Sequence, residues 1–261
     1  MTGTPMSAST ALVVTPAPSY RHQEIVGHLH LILSAACSDD LKVLIAVYRK
    51  DPIVGAQETD VRRLVSYINE NLPTPWPTWP GGYPDQVELA LIDAVLSIQA
   101  RYGSPSTGVR PRVRAWRDKR EGGANDLMVL AETDPTTLAD ILDTRQRLRG
   151  GSTKAQGIVF AARNFVDVRA RHSGDINPRD PAQKRAYVEV RGLGPVTWEY
   201  FSMLLGMPGV KADTWITRFV SDALGSEKDS KSTADLVKAA AKELQRSPTD
   251  LDHAIWRSKS R

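Results

Sequence analysis

Asp213 stands two residues after Lys211, at the head of a helix-spaced run of Ile216, Phe219 and Val220 that follows the breaker pair Pro208-Gly209. An aspartate in that position serves as a helix N-cap, and it also presents a carboxylate at a fixed point of the chain. About twenty residues earlier, Gly192-Leu193-Gly194 separates two helix-length stretches. Two glycines let a turn take positive φ and keep its backbone N–H groups clear of side chains. Such a turn can meet a phosphate oxygen closely and grip a nucleic-acid backbone without reading its bases. A third group is the run from Val109 to Lys119, where Arg110, Arg112, Arg114, Arg117 and Lys119 surround Trp116 and Asp118 is the one acid. A run of this kind is a solvated face or a phosphate contact.

Helices must hold these groups in place. The stretch from Gln183 to Val190 reads as a short helix anchored by Tyr187 and Val190, and Pro195 opens another in which Val196, Tyr200, Met203 and Leu204 fall near one face. The unit is helix, glycine hairpin (residues 191–194), helix. Upstream, Asp85 to Tyr102 reads as an amphipathic helix with Val87, Leu91, Val95 and Ile98 inward, and Gln99 lies near its end as a surface amide. Further helices are predicted at Asn125 to Glu132, Thr136 to Leu148, Thr153 to Arg171, Ser232 to Gln245 and Thr249 to Arg257. Before them, helices are predicted from about Tyr20 to Ala36, from Asp39 through Tyr48, and from Glu58 to Asn71. Alternating β-branched runs are scarce, so the fold class is all-α.

The segment LPTPWPTWPGGYP, residues 72–84, permits neither a regular helix nor a central strand. Its composition marks a domain boundary, with Trp76, Trp79 and Tyr83 pinning it to a surface or stacking bases. The expected organisation is a disordered tail at 1–19, an N-terminal helical extension at 20–71, a linker at 72–84 and a main helical domain at 85–261.

A chain of 261 residues with 41% hydrophobic content can bury a core of enzyme size, and a net charge of +4 permits a nucleic-acid partner without demanding one. The single cysteine, Cys37, makes no internal disulfide and cannot supply four ligands to an iron–sulfur cluster. His22, His28 and His30 form no i, i+4 pair with a supporting acid, so no metal is expected, nor any other cofactor. No apolar run approaches the roughly 18 residues that cross a bilayer, and the start of the chain lacks a secretory pattern. The expectation is a reducing, cytoplasmic compartment and no membrane partner.

Four segments in order resemble the helix-hairpin-helix DNA glycosylase superfamily, which includes endonuclease III and the 3-methyladenine glycosylases. They are Val95-Leu96-Ser97-Ile98-Gln99-Ala100, Ser152-Thr153-Lys154-Ala155-Gln156-Gly157-Ile158, the turn Val190-Arg191-Gly192-Leu193-Gly194, and Ala212-Asp213-Thr214-Trp215-Ile216-Thr217-Arg218. The likeness covers roughly residues 85 to 225.

The resemblance implies a two-lobed helical fold acting on double-stranded DNA. Asp213 falls on the essential aspartate, which would stabilise positive charge at C1′ as the base leaves and orient or deprotonate a water. Gly192, Leu193 and Gly194 would hold the backbone, Gln99 would fill the gap left by a flipped base, and Arg112, Arg114 and Lys211 would contact phosphate. An extruded base needs aromatic walls, for which Trp116, Trp198 and Tyr102 are the candidates. Bifunctional members carry a lysine two residues beyond the last hairpin glycine; here that residue is Val196, so excision without strand cleavage is expected. Trp215 stands where the family usually has His. A DNA-binding protein that kept the fold and lost catalysis is the alternative, and the N-terminal extension leaves room for a protein partner.

Overall fold

The computed structural model describes residues 52–76, 78–100, 108–121 and 123–259. The tail at 1–19, the helices predicted between Tyr20 and Tyr48, Cys37, the three N-terminal histidines and Tyr102 lie outside the described residues. The chain divides after Gly55, and the architecture below is that of residues 56–259.

Eleven helices and no strand occur among the described residues, so the fold is all-α. They are α1 (Pro52–Asn71), α2 (Val87–Leu96), α3 (Val109–Lys119), α4 (Leu127–Glu132), α5 (Pro135–Ile141), α6 (Lys154–Asp167), α7 (Pro181–Val188), α8 (Pro195–Leu204), α9 (Thr214–Leu224), α10 (Ser230–Glu243) and α11 (Pro248–Lys259). Most start on a side chain that satisfies the first free backbone N–H groups. Asp134 accepts from the amides of Thr136 and Thr137, both at 2.9 Å, to open α5. Thr153 and Gln156 form a reciprocal capping box at α6, with bonds of 3.1 and 2.8 Å. At the other end of α9, Gly225 takes the left-handed conformation that closes a helix.

Two hydrophobic cores result. The first is built from residues 87–205: α2 lies buried along its whole length, with α4, α6 and α8 packed around it. Its centre is aromatic. Phe165, Tyr187, Trp198 and Phe201 form one cluster, with Tyr187 and Phe201 stacked at 6.0 Å and an interplanar angle of 8°. These contacts cross α6, α7 and α8 and so fix the angle at which α7 and α8 leave the hairpin between them. Each such pair contributes about 0.5–1.5 kcal/mol beyond simple burial.

The second core joins Val61, Leu64, Ile68 and Leu72 to Val210, Ile216, Phe219 and the inner faces of α10 and α11. This corrects the expected boundary. Val61 to Leu72, expected in the extension and the start of the linker, are structural members of the C-terminal lobe, and the seam between the lobes runs through residues 72–84 and again near 207–210. A lobe assembled from both ends of a domain leaves no local trace in sequence.

Two predicted helices end early. The one expected over 85–102 stops at Leu96, after which Gln99 adopts φ +51. The one expected to reach Leu148 stops at Ile141, where Asp143 takes φ +43 and the Thr144 amide turns back to the Ala139 carbonyl at 3.0 Å.

Candidate active site

The hairpin between α7 and α8 is exposed at Arg191 and Gly192, while Leu193 is 7% exposed and anchors the turn in the first core. Leu193 is therefore a packing residue, and its amide is bonded to the Val190 carbonyl at 2.9 Å. Gly192 is required by the fold. Its φ is +101°, and a Cβ there would lie 2.7 Å from Leu148 Cβ. Gly194 is different: its backbone is extended and a Cβ would meet nothing within 4 Å. That side of the turn is sterically open, while the Gly194 amide itself donates to Thr197 Oγ1 at 3.1 Å. If the turn grips a DNA backbone, Gly194→Ala is expected to leave the melting temperature unchanged while weakening affinity for duplex DNA about tenfold, because the added methyl holds the phosphate off; a binding titration beside a thermal melt reads both. Two exposed cations missed in the sequence flank the turn. Arg191 lies against Gly150, and the Arg149 amide adjoins Gly192. Their signal was the run Arg145-Gln146-Arg147-Leu148-Arg149 just before the paired glycines.

Gln99 is exposed on the tight turn after α2, a shape that presents a side chain outward. Buried Lys154 holds that turn: its ammonium donates to the carbonyls of Leu96 (2.8 Å) and Ile98 (2.6 Å) and to Gln146 Oε1 (2.8 Å). Burial pushes Lys154 down to a pKa of about 8, with Arg112 adding to the effect. Lys154→Met leaves all three acceptors unpaired and is expected to destabilise the fold by about 3 kcal/mol. A thermal melt and amide exchange at Ser97–Ala100 measure the loss.

The basic run does less at the surface than its composition suggests. Arg112 donates from Nη1 to the Gly108 carbonyl (2.8 Å) and from Nε to the Asp143 carbonyl (3.2 Å), joining α3 to the end of α5. Arg114 is exposed as expected. Trp116 is 2% exposed and donates its indole N–H to Glu88 at 2.8 Å. Trp198, also 2% exposed, is part of the aromatic core. Neither is a cavity wall, because each ring is consumed by packing inside the first lobe.

The cavity lies at the seam of the two lobes, with a volume of about 110 Å³, and Trp79, Tyr83, Tyr200 and Trp256 supply its aromatic walls. Trp79, Pro80, Gly81 and Tyr83 form one side of it. Trp79 donates its backbone N–H to Asp250 in the C-terminal lobe at 3.2 Å, and the Tyr83 hydroxyl donates to Asp93 Oδ2 in the first lobe at 2.9 Å. Asp93, 4% exposed on α2, also accepts from the Tyr200 hydroxyl at 3.2 Å. Burial, reinforced by Asp93, raises the Tyr83 phenol well above its usual value, so it stays a neutral donor.

Asp213 caps α9, and both cap bonds fall on Oδ1, from the amides of Trp215 (2.9 Å) and Ile216 (3.4 Å). Its Oδ2 is outside the cap. Asp213 lines the enclosed cavity and also an open groove that runs past Val196, Thr217, Arg218 and Lys228. It is the one residue common to both. Lys211, expected as a phosphate contact, is instead turned into the cavity: its ammonium sits 3.8 Å from the centroid of the Tyr200 ring and donates to Ser97 Oγ at 3.2 Å. Burial lowers its pKa, while Asp213, Asp252 and Asp93 pull it up. Beside Asp213, Trp215 is 39% exposed with Arg218 over its ring at 5.9 Å, so the residue in the usual His position faces outward.

Residues 62–260 match the family model described as Domain of unknown function (DUF8548). The chain belongs to the DUF8548 family. Nothing among the curated proteins matches it. The match takes in the end of α1, the proline-rich segment and both lobes, so every wall of the DUF8548 cavity falls within it. No group of three or more His, Cys, Asp or Glu among the described residues is placed to hold a metal, and no helix there is long and apolar enough to cross a membrane.

Proposed function

We propose that this DUF8548 protein is a monofunctional DNA glycosylase of the helix-hairpin-helix type, which flips an altered base out of duplex DNA and hydrolyses its N-glycosidic bond. The observation that carries the reading is the position of Asp213 at the junction of an open groove and an enclosed aromatic cavity. A nucleotide with its sugar in the groove and its base in the cavity would bring C1′ to that junction, where a carboxylate stabilises the cation that forms as the base leaves. Gly194, open to close approach, and the exposed Arg149 and Arg191 suit a backbone grip, and Gln99 on its outward turn suits insertion into the gap. The cytoplasm, where chromosomal or invading DNA is met, is the matching compartment.

The test is incubation with a panel of duplexes, each carrying one altered base, analysed with and without hot alkali. Breaks that need alkali are the expected result, since they report abasic sites made without strand cleavage. Breaks without alkali would mean that Lys211, inside the cavity, attacks C1′ as a nucleophile. Salt-sensitive duplex binding with no product from any base would leave a non-catalytic clamp on the DNA backbone.

A further inference from the structure

We infer that Asp252 is a second catalytic carboxyl, the acid that hands a proton to the departing base, and that the cavity therefore selects neutral bases. The inference rests on the base-excision reading of the same cavity and adds a residue and a substrate class to it. Asp252 lies on α11, lines the cavity with Asp213, and is 8% exposed. Its Oδ1 is fully enclosed and has no hydrogen-bond partner among the described residues. Burying a carboxyl oxygen with no partner is costly. At the wall of a ligand cavity it leaves an acid whose proton is not committed to the protein.

The surroundings favour the protonated form of that acid. Burial, and after it the charge of Asp213, push the Asp252 carboxyl well above the usual carboxylate range; Lys211 and its backbone N–H pull it down, and Glu199 pushes it up. Asp93, Arg110 and His253 face the same cavity. Burial, with Arg257 and Arg110 adding to it, holds His253 below its usual imidazole value, so it brings no charge at neutral pH. Two formal cations, Lys211 and Arg110, then stand against two carboxylates, Asp93 and Asp213. Nothing in that balance rewards a cationic base over a neutral one.

Two carboxyls with opposed protonation are the arrangement for acid-assisted bond cleavage. The Asp252 proton moves to a ring nitrogen or carbonyl oxygen of the base as the C1′–N bond breaks and its electron pair goes to the base. Water then adds its oxygen to C1′ and gives its proton to the Asp213 carboxylate. The products are the free neutral base and an abasic sugar, and the proton on Asp213 returns to Asp252 through water. A base that already carries a positive charge leaves without this help.

The experiment compares wild type and Asp252→Asn under single-turnover conditions on duplexes carrying hypoxanthine or uracil, which are neutral, and N7-methylguanine, which is cationic. Neutral-base excision by the variant is expected to fall about 100-fold or more, with N7-methylguanine excision, where present, within about threefold of wild type as proof of folding. In wild type, neutral-base excision should decline on the alkaline side, where Asp252 loses its proton, and N7-methylguanine excision should not. Equal loss on both base types assigns Asp252 a structural role and overturns the inference, as does no loss on either. Wild type that removes only N7-methylguanine also overturns it. Wild type that removes no base from these duplexes or from any of the wider panel above overturns the excision reading and this inference with it, which keeps the two failures distinct.

Discussion

Asp213→Asn is expected to abolish base excision while leaving fold and DNA affinity intact. Asparagine caps helices as well as aspartate does, and its side-chain oxygen can keep the bonds now made by the amides of Trp215 at 2.9 Å and Ile216 at 3.4 Å. What disappears is the negative charge at the junction of groove and cavity. Charge stabilisation at a developing cation, together with the orientation of a water, is worth about 10³-fold in rate. Single-turnover excision on a duplex that wild type cleaves reads the loss, and a binding titration with the same duplex should give an unchanged affinity and salt slope. A variant as active as wild type would show that the carboxylate is a cap and nothing more.

Glu88→Ala should produce the largest loss of stability of any single change in the first lobe. Glu88 is 0% exposed. Its carboxylate accepts from the Trp116 indole at 2.8 Å, from Arg120 Nε at 3.0 Å and from the Asp126 amide at 2.9 Å. One side chain on α2 thus ties down α3 and the entry to α4. Removing it strands a partly buried guanidinium and two donors, and breaking a buried pair from one side costs about 3–5 kcal/mol. For a domain of this size the melting temperature should drop by roughly 10 °C. Glu88→Gln should lose less, because the amide oxygen still accepts from the indole or the backbone. Equal melting of Glu88→Ala and wild type would show that the network adds nothing to stability.

What was legible in the sequence was local. The all-α class, the glycine hairpin and the aspartate at the head of α9 each depend on a few neighbouring residues. The cavity does not. Asp93 and Asp252 come from helices 159 positions apart in the chain, and nothing near either residue announces that they share a wall. Trp116 was misplaced because an aromatic ring among arginines reads as a surface feature until Glu88, 28 residues away, is seen to take its N–H. Lys211 shows the same limit at short range. Its distance from Asp213 in sequence was plain, but the Tyr200 ring that draws its ammonium inward belongs to another helix. The prolines of 72–84 announced a non-helical segment, but its place at a cavity wall required knowing that the lobes on either side meet there.

That segment is fastened at two points: at Tyr83 to Asp93 in one lobe, and at Trp79 to Asp250 in the other. Prising the lobes apart would stretch both fastenings together. Five residues, from Trp79 to Tyr83, thus bridge the two fastenings along one wall of the cavity. On the base-excision reading proposed above, that short bridge would work like a go/no-go gauge, limiting the thickness of ring the cavity admits.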